Sequence, residues 1–583
     1  MKKLQRTIAE KLSGLLEEVE TEEILSLMEL PADPAKGDLS LPCFKLSRKL
    51  RKSPKEIADH LASRLNEALD SEGEIHRTES ISGYLNLFLR PEVVGSKVVF
   101  EILQAGERYG SHTEGNGKTI VVDFSSPNVA KPFHVGHLRS TVIGSALVRI
   151  FRFMGYHCIG INHLGDWGTQ FGKLIVAYRL WGDPERLKGG AIDELLSLYV
   201  RFHKEVEHRP ELDDEARALF TKMEQGDPEV LELWTLFVDL SLAEFNRIYE
   251  LMGIKFDHIT GESFYNDKMG RVITELQEKG LLEEDQGAML VRLEDYDMAP
   301  ALMLKQDGSS LYHTRDVAAA LYRKDKYQFH KAVYVTDYSQ SLHFRQWFKV
   351  IELMGYPWAE ELVHVPFGRV SLEGTGFSTR KGNIVKLEDL LQQTIAKVLE
   401  IIEIKNPALE CKEEVAKQVG VGAVIFNDLS ANRIKDIVFD WEHALSFEGE
   451  TGPYVQYTYA RICSLLRKGR VQEQDGTNST ASASKDETIL EKLQLPEPSE
   501  YVLVKQLSLF PQSVEAAAAK MEPSIITRYL VDTAQAFNRF YHHCPVLDIE
   551  PQLRASRLAL TECTRITLHN GLKLIGLQAP ERM

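Results

Sequence analysis

The chain has 583 residues, of which 43% are hydrophobic and 26% charged, and its formal net charge is −16. This composition is ordinary for a globular protein and excludes wholesale disorder and a fibrous repeat, while the length predicts several domains. The acidic charge argues against a nonspecific nucleic-acid coat protein, although an acidic protein can still carry a local basic groove. Composition alone indicates no function.

The cysteines and the apolar segments indicate the compartment. Six cysteines lie far apart and form no Cys-x-x-Cys pair, which fits reduced thiols better than disulfides or a zinc site. We expect all six to be buried or inert. No segment approaches the roughly 20 apolar residues that a membrane-spanning helix requires, and the N-terminal segment, whose apolar positions are interrupted by acids, is unlike a signal peptide. We expect a cytoplasmic protein that does not contact a membrane.

Residues 1–112 are predicted to form a small α+β domain. Helical patterns precede a short apolar alternation at residues 81–89, and a polar Ser/Gly/Asn segment closes the region. Basic residues crowd one part of this domain, where they form either a solvated helix face or a phosphate-contacting patch. They are Lys45, Arg48, Lys49, Arg51, Lys52 and Lys55.

A strand, a loop and a helix follow in the order that opens a parallel sheet. The β-branched run at residues 119–124 predicts a strand, and apolar residues at helical spacing from about 138 to 153 predict a helix. A second strand is predicted directly afterwards, at residues 158–162. This βαβ arrangement is typical of nucleotide-binding sheets.

The remaining patterns complete the domain organisation. Further strands are predicted at residues 331–336 and 362–365, so residues 113–440 should form a Rossmann-type parallel α/β domain. Within it, the charged and helical pattern predicts a helical insertion at about residues 182–300. Residues 441–583 have helical periodicity and should form an α-helical bundle.

The loop after the first predicted strand carries the strongest chemical signal. It reads SSPNVAKPFHVGH and ends with His134, Gly136 and His137 at the start of the predicted helix. Helix N-terminal amides favour anions, two imidazoles at this spacing can address neighbouring phosphate oxygens, and glycine lets a flat base approach the backbone. The loop therefore predicts an ATP site. The alternatives are a capped helix with surface histidines, or a metal pair, which lacks cysteine or carboxylate companions at ligand spacing.

With its surroundings, this loop resembles a known family. The HVGH tetrapeptide matches the HIGH signature of class I aminoacyl-tRNA synthetases, and the longer context resembles arginyl-tRNA synthetases. That context includes FSSPN at residues 124–128, NHLGDWGTQFG at 162–172 and GPYVQY at 452–457. The resemblance implies a monomeric enzyme that activates L-arginine with ATP and Mg²⁺, transfers it to tRNA(Arg) and holds no metal of its own.

The resemblance also implies an ATP site. The second class I signature, KMSKS, is degenerate here, because GFSTRKGN at residues 376–383 stands in its place and its lysine lies two positions late. In such cases the family resemblance implies that a lysine just before HIGH compensates, by offsetting charge at the α-phosphate. We expect Lys131, His134, His137 and Lys381 to be catalytic, although Lys381 could also be a surface charge. The implied ATP-binding residues are His134, Gly136, His137, Phe377, Ser378 and Lys381.

Arginine recognition requires carboxylates, because the guanidinium is a planar cation with five donors. The resemblance implies that Asp123, Tyr312 and Asp316 hold the guanidinium, and that Asn128 and Gln340 fix the polar end of the amino acid. Tyr312 and Asp316 share a helix face if their segment is helical. Without the family context, Asp316 is more simply a surface acid of that helix.

The resemblance further implies that the N-terminal domain contacts the tRNA elbow and that the C-terminal bundle binds the anticodon. Tyr457 and Arg461 are our predicted tRNA contacts, because aromatic rings and arginine stack on splayed bases. Most other tyrosines there should be core. Two other functions stay open: a class I relative or nucleotidyltransferase acting on another substrate, and a catalytically silent paralogue that only binds tRNA or a partner.

Overall fold

The structure is a computed structural model that describes residues 2–16, 18–31, 33–70, 73–305, 312–372, 385–475 and 493–583. The predicted ATP-site residues Phe377, Ser378 and Lys381 lie outside these ranges. Within them the expected fold class is confirmed: an N-terminal α+β part, a central parallel sheet and a C-terminal set of helices. Of the described helices, none combines the length and apolar character needed to cross a bilayer.

The N-terminal part is built on a three-stranded antiparallel sheet with the order β1-β3-β2. The apolar alternation at residues 81–89 begins at the last residue of β2 and includes all of β3. A tight turn joins the two strands at Ser82 and Gly83, which both have positive φ (52° and 81°). The elements are α1 (Lys2–Leu15), α2 (Thr21–Leu27), β1 (Leu39–Pro42), α3 (Ser47–Leu50), α4 (Pro54–Glu67), β2 (Ile75–Ile81), β3 (Tyr84–Leu89) and α5 (Pro91–Ala105).

The central part contains the predicted βαβ opening and its continuation. The two strands predicted near residues 331 and 362 are present, and the helix after the first strand has the predicted bounds. The elements are β4 (Thr119–Asp123), α6 (Leu138–Phe153), β5 (His157–Asn162), α7 (Thr169–Trp181), α8 (Pro184–Val206), α9 (Glu211–Glu224), α10 (Pro228–Leu251), β6 (His258–Ile259), α11 (Met269–Glu278), β7 (Glu283–Asp285), β8 (Ala288–Val291), β9 (Ala301–Leu304), α12 (Tyr312–Tyr327), β10 (Lys331–Asp337), α13 (Ser341–Leu353), β11 (Leu362–Phe367) and β12 (Val370–Leu372).

The main sheet has five parallel strands in the order β11-β10-β4-β5-β6. The chain starts in the middle at β4, moves to one edge through β5 and β6, and then crosses back to β10 and β11. The direction of winding therefore reverses between β4 and β10. In open parallel sheets, ligands bind outside the carboxyl ends of the strands at this point.

The insertion differs from the prediction in its second half. Helices α8, α9 and α10 fill its first part, as expected, but the chain then returns to the main sheet at β6. Strands β7, β8 and β9 follow as a small antiparallel sheet at residues 283–304, whereas the predicted helical insertion extends to about residue 300. The hairpin between β7 and β8 turns at Gln286 and Gly287, both with positive φ. Such short, charged strands contain too few alternating apolar and polar residues to be recognised from sequence.

The C-terminal part is helical from residue 441 onwards, as predicted for the bundle, and before that residue it contains two further helices and one short strand that pairs in parallel with β12. It also packs against the N-terminal part: the Tyr109 hydroxyl donates to the Leu507 carbonyl (2.9 Å), and Lys505 pairs with Asp38 (2.8 Å). Its elements are α14 (Leu387–Lys405), α15 (Lys412–Ser430), β13 (Ile437–Phe439), α16 (Trp441–Ala444), α17 (Gly452–Asp475), α18 (Pro498–Ser508), α19 (Phe510–Lys520), α20 (Ser524–His543) and α21 (Pro551–Leu574).

The six cysteines are all free thiols, as expected, and five are buried. Cys411 is exposed just before α15, so of the predicted alternatives, buried or inert, only the second is open to it. Burial raises the pKa of Cys43 to about 11 and that of Cys158 to about 12. These two thiols stay protonated at neutral pH and are therefore poor nucleophiles.

Candidate active site at the carboxyl ends of β4 and β10

The loop that follows β4 has an unusual backbone. Ser125, Ser126 and Ala130 have φ values of 71°, 49° and 60°, in the left-handed region that non-glycine residues seldom adopt. Hydrogen bonds to neighbouring elements hold it: Ser125 N–H donates to Ser140 Oγ (2.9 Å), and Ser126 N–H donates to Asn162 Oδ1 (3.1 Å). Residues in such conformations cluster at functional sites, where the surrounding structure fixes them.

The HVGH turn, residues 134–137, arranges two histidine side chains as hydrogen-bond donors. Gly136 N–H donates to His134 Nδ1 (3.0 Å), and His134 N–H donates to His137 Nδ1 (3.2 Å). Since both Nδ1 atoms accept, each neutral ring carries its hydrogen on Nε2. The ring centroids are 4.0 Å apart. A Cβ on Gly136 would lie 2.6 Å from His134 Cε1, so glycine is required for the rings to fold together.

Both rings are uncharged at neutral pH. Burial and the nearby charge of Lys131 lower the pKa of His134. Burial, followed by unfavourable electrostatic interactions with His134 and Lys131, holds the pKa of His137 well below its usual value. Lys131 therefore lies close to both imidazoles, and its Nζ is 5.9 Å from the ring centre of Tyr199 on α8. One cation and two neutral donors together suit a polyphosphate.

The chain that leaves the second signature segment, residues 376–383, docks on the same turn. Val135 N–H donates to the Val385 carbonyl (3.2 Å), and Leu387 N–H donates to the Phe133 carbonyl (2.9 Å). An isolated bridge also pairs His134 with Lys386. The described chain that directly follows the second signature is thus held on the HVGH turn.

Asp316 lies on α12, one turn after Tyr312, as the predicted spacing requires. Its Oδ2 accepts from His343 Nε2 at 2.5 Å. Burial raises the pKa of Asp316, but the hydrogen bond and charge of His343 outweigh burial, so the pKa lies below the ordinary value. Asp316 is therefore anionic at neutral pH. Tyr312 is 64% exposed at the start of the helix.

Asp123 already has partners inside the protein. Its Oδ2 lies 2.8 Å from Nη1 of Arg323, whose side chain is 1% exposed, and its Oδ1 accepts from the Ser126 hydroxyl (2.9 Å). Arg323 comes from α12, so this pair connects the end of β4 to the helix that carries Asp316. The charge of Asp123 is thus matched by a protein guanidinium.

Sequence reasoning missed an acid in this region. Glu262 follows β6, and its Oε2 lies 3.4 Å from Nη1 of Arg315. Burial raises the pKa of Glu262 to about 7; Arg315 opposes this shift, while Asp316 and Asp166 add to it. Glu262, Asp166 and Asp316 are therefore near neighbours. The position after a sheet strand was the available signal, but β6 has two residues and left no pattern.

Asn128 and Gln340 lie on the two sides of the sheet crevice. Asn128 is exposed and forms a parallel bridge with Gly165 after β5. A Cβ on Gly165 would lie 2.2 Å from Asn128 Oδ1, so the amide packs directly over that glycine. Gln340 is exposed at the end of the short turn after β10. Both residues are therefore exposed after strands that flank the switch point.

The predicted tRNA contacts Tyr457 and Arg461 form one surface on α17. The Arg461 guanidinium lies 5.0 Å from the Tyr457 ring centre and donates to Asn538 Oδ1 (2.7 Å). Tyr459 and Phe537 are buried, in agreement with the core interpretation. A groove of about 480 Å³ runs beside this surface and includes Asn406, Leu409, Tyr457, Arg461, Arg467 and Arg582 in its lining.

All six basic residues at positions 45–55 are exposed. Lys49 pairs with Glu23 at 2.5 Å, and next to the cluster Phe44 and Tyr84 form an exposed edge-to-face pair with ring centres 5.2 Å apart. Both interpretations of the cluster, a solvated helix face and a phosphate-contacting patch, require such exposure. Within the described ranges, no three His, Cys, Asp or Glu side chains group as metal ligands.

Comparison with known families gives three matches in chain order. Residues 2–89 match the N-terminal domain of arginyl tRNA synthetase. Residues 98–441 match the catalytic domain of class I (R) tRNA synthetases. Residues 455–583 match the DALR anticodon binding domain.

Individual relatives agree over the full length. The arginine–tRNA ligase of Alkaliphilus metalliredigens is 51% identical over 583 residues, which are 100% of both chains. That of Clostridioides difficile is 50% identical with the same coverage. The Thermus thermophilus arginyl-tRNA synthetase structure gives a TM-score of 0.81 at 25% identity, covering 99% of this chain and 100% of that one. The chain therefore belongs to the arginyl-tRNA synthetase family of class I tRNA synthetases.

Proposed function

We propose that this protein is an arginine–tRNA ligase. The carboxylate of L-arginine attacks the α-phosphorus of ATP and pyrophosphate leaves. A hydroxyl of the 3′-terminal adenosine of tRNA(Arg) then attacks the arginyl carbonyl, and AMP leaves. The observation that carries the proposal is the anionic Asp316, with Glu262 near it, at the same sheet crevice as the donors of the HVGH turn. An apolar or anionic substrate gives no reason for such acids.

The ATP site uses neutral donors and one cation. We assign His134 Nε2–H and His137 Nε2–H to phosphate oxygens, with Gly136 leaving room for the His134 ring. Neutral imidazoles donate hydrogen bonds to phosphate oxygens without a positive charge of their own. Lys131, which acts electrostatically on both rings, supplies the positive charge at the α-phosphate. Donors fixed in advance stabilise developing charge without reorganisation, which is the largest contribution in many enzymes.

Lys381 is the second candidate cation, together with its neighbours Phe377 and Ser378 as ATP contacts. The docking of residues 385–387 on the HVGH turn supports this assignment, because it brings the chain after the second signature segment to the phosphate donors. Replacing Lys131 and Lys381 separately by methionine tells which lysine serves activation. The larger fall in kcat identifies it.

The arginine pocket, which we define as Asp123, Glu262, Tyr312 and Asp316, recognises the guanidinium. Asp316 offers an anionic acceptor, because His343 holds one of its oxygens and the other can face the substrate. Asp123 contributes as an acceptor rather than as net charge, since Arg323 matches it. We place the Asn128 and Gln340 amides at the polar end of the amino acid.

Three further parts of the proposal concern partners and setting. Mg²⁺ enters with ATP, because it is usually held by substrate phosphates and few protein ligands. We place Tyr457 and Arg461 on the anticodon side of the tRNA and the basic cluster of residues 45–55 on its elbow. The enzyme works as a cytoplasmic monomer. The domain division at residues 112 and 440 stays a prediction.

Aminoacylation tests the function directly. Purified protein, total tRNA, ATP and Mg²⁺ are incubated with each of the twenty amino acids in turn. We expect charging with arginine alone. Charging with a different amino acid contradicts the pocket assignment, and no charging by a folded preparation supports a silent tRNA-binding paralogue.

A further inference from the structure

A buried arginine lies two residues beyond the HVGH turn. Arg139 is 1% exposed, and its Nη1 donates to the carbonyl oxygens of Gly368 (3.1 Å) and Lys435 (2.5 Å). Its Nε lies 3.5 Å from Oδ2 of Asp428, a residue of α15 that is 2% exposed. Apolar side chains of the same volume often stabilise a protein as well as a buried ion pair does. A contribution to folding stability is therefore not a sufficient reason for a buried Arg139–Asp428 pair at this position.

The contacts of Arg139 join four elements at one point. The side chain starts on α6, bonds the residues just before β12 and β13, and faces α15. The two backbone segments are tightly packed: Gly368 N–H donates to the Arg433 carbonyl (2.8 Å), and a Cβ on Gly368 would lie 2.6 Å from the Lys435 carbonyl oxygen. A shift of Arg139 therefore moves β12 relative to the HVGH turn.

Strand β12 is the last described element before the second signature segment. On the far side of that segment, the backbone of residues 385–387 bonds directly to the HVGH turn. On the near side, the described chain is tied to α6 by Arg139 through Gly368. Arg139 thus fixes one flank of the second signature relative to His134 and His137, as the backbone bonds fix the other.

Asp428 acts on this arrangement through its charge. Neither of its oxygens has a hydrogen bond within the described ranges, nor do Nε and Nη2 of Arg139. The 3.5 Å contact is longer than a hydrogen bond. Asp428 therefore does not compete with the two carbonyls for Nη1, and it neutralises the buried guanidinium while that group stays bonded to both.

We infer that Arg139 is a positioning residue for the activation of arginine, and that Asp428 keeps its guanidinium on the two carbonyls. Arg139 sets the register between the HVGH donors and the chain leading to the second signature. The inference rests on the proposed function. Misplacement of catalytic groups by about 1 Å lowers rates by roughly 100-fold, so a small slip here has a large effect.

The test removes both charges together. In Arg139→Met/Asp428→Leu, apolar side chains of similar volume replace the pair, so that no buried charge is left alone. The matched control is Arg557→Met/Glu500→Leu, another buried pair (2.6 Å), which joins α18 to α21. For each protein, thermal unfolding and ATP–pyrophosphate exchange are measured, the latter with saturating tRNA(Arg) and varied ATP and arginine.

We expect the Arg139/Asp428 variant to stay folded, with kcat lowered roughly 100-fold and the KM for arginine nearly unchanged. The control should keep the wild-type kcat, because its pair joins α18 to α21 and does not contact the HVGH turn. A folded variant with wild-type kcat, or an equal fall of kcat in the control, overturns the inference. A wild-type enzyme that charges no arginine counts against the proposed function instead.

Two single variants keep the test decisive if the double variant does not fold. Asp428→Asn preserves shape and both carbonyl bonds but removes the charge, and we expect kcat to fall at unchanged KM for arginine. Arg139→Lys keeps the charge but lacks the planar fork, so it should retain part of the activity. Wild-type kcat in a folded Asp428→Asn protein contradicts the role given to Asp428, and wild-type kcat in Arg139→Lys contradicts that given to Arg139.

Discussion

Replacing Asp316 by asparagine tests the arginine pocket most directly. The amide has the shape of the carboxylate and can still accept the hydrogen bond from His343, so the local structure is retained while the negative charge is lost. A hydrogen bond to a charged group contributes about 1.5–3 kcal/mol, which corresponds to an increase of about 10- to 150-fold in the KM for arginine. The KM for ATP should not change, because ATP is assigned to the HVGH turn.

The measurement is ATP–pyrophosphate exchange at varied arginine and at varied ATP. The control is Asp325→Asn, an acid on the same helix that is 59% exposed and pairs with Arg271 at 2.6 Å. It should leave both KM values unchanged, because exposed ion pairs contribute little. An unchanged KM for arginine in Asp316→Asn would refute the pocket. A fall in kcat alone would instead indicate that Asp316 acts in the chemical step.

Three further predictions concern separate parts of the enzyme. The pKa of Glu262 is raised to about 7, so this acid loses its charge as pH falls below 7, and the KM for arginine should rise there. Glu262→Gln should abolish this pH dependence. A Glu262→Gln variant that keeps the wild-type pH profile contradicts the prediction. His137→Asn should lower kcat about 100- to 1,000-fold at unchanged KM for arginine, as for other preorganised donors; equal loss of arginine binding would mean a structural role. Arg461→Gln should raise the KM for tRNA about tenfold or more without affecting ATP, measured by aminoacylation; an unchanged KM would leave Arg461 only its bond to Asn538.

Local sequence patterns were sufficient for the parts of the site that are local. The strand, loop and helix around the HVGH turn lie where periodicity predicts them, and Tyr312 and Asp316 share the helix that their spacing required. These features depend on residues within a few positions of one another. The helical periods and turn signals encode such features directly.

The features that could not be predicted join distant residues. Arg323 pairs with Asp123 although the two residues lie far apart in the sequence, and no local pattern marks Arg323 as the partner. Glu262 enters the pocket because the two residues of β6 pair with β5. A strand as short as β6 cannot be recognised from sequence. Likewise, Arg139 reads as part of an ordinary helix until Asp428 is seen beside it.

The contact between the first and last parts of the chain changes how a truncation must be interpreted. Cys563 on α21 bonds to the Val99 carbonyl, and Asn570 donates to the carbonyls of Gly106 and Tyr109. Removing the first 110 or so residues would therefore expose the surface of α21 that these contacts bury. If such a fragment no longer charges tRNA, either a damaged C-terminal bundle or a missing contact with the tRNA elbow could be the cause. Charge reversal at the exposed Lys52 instead leaves the contact between the first and last parts of the chain intact.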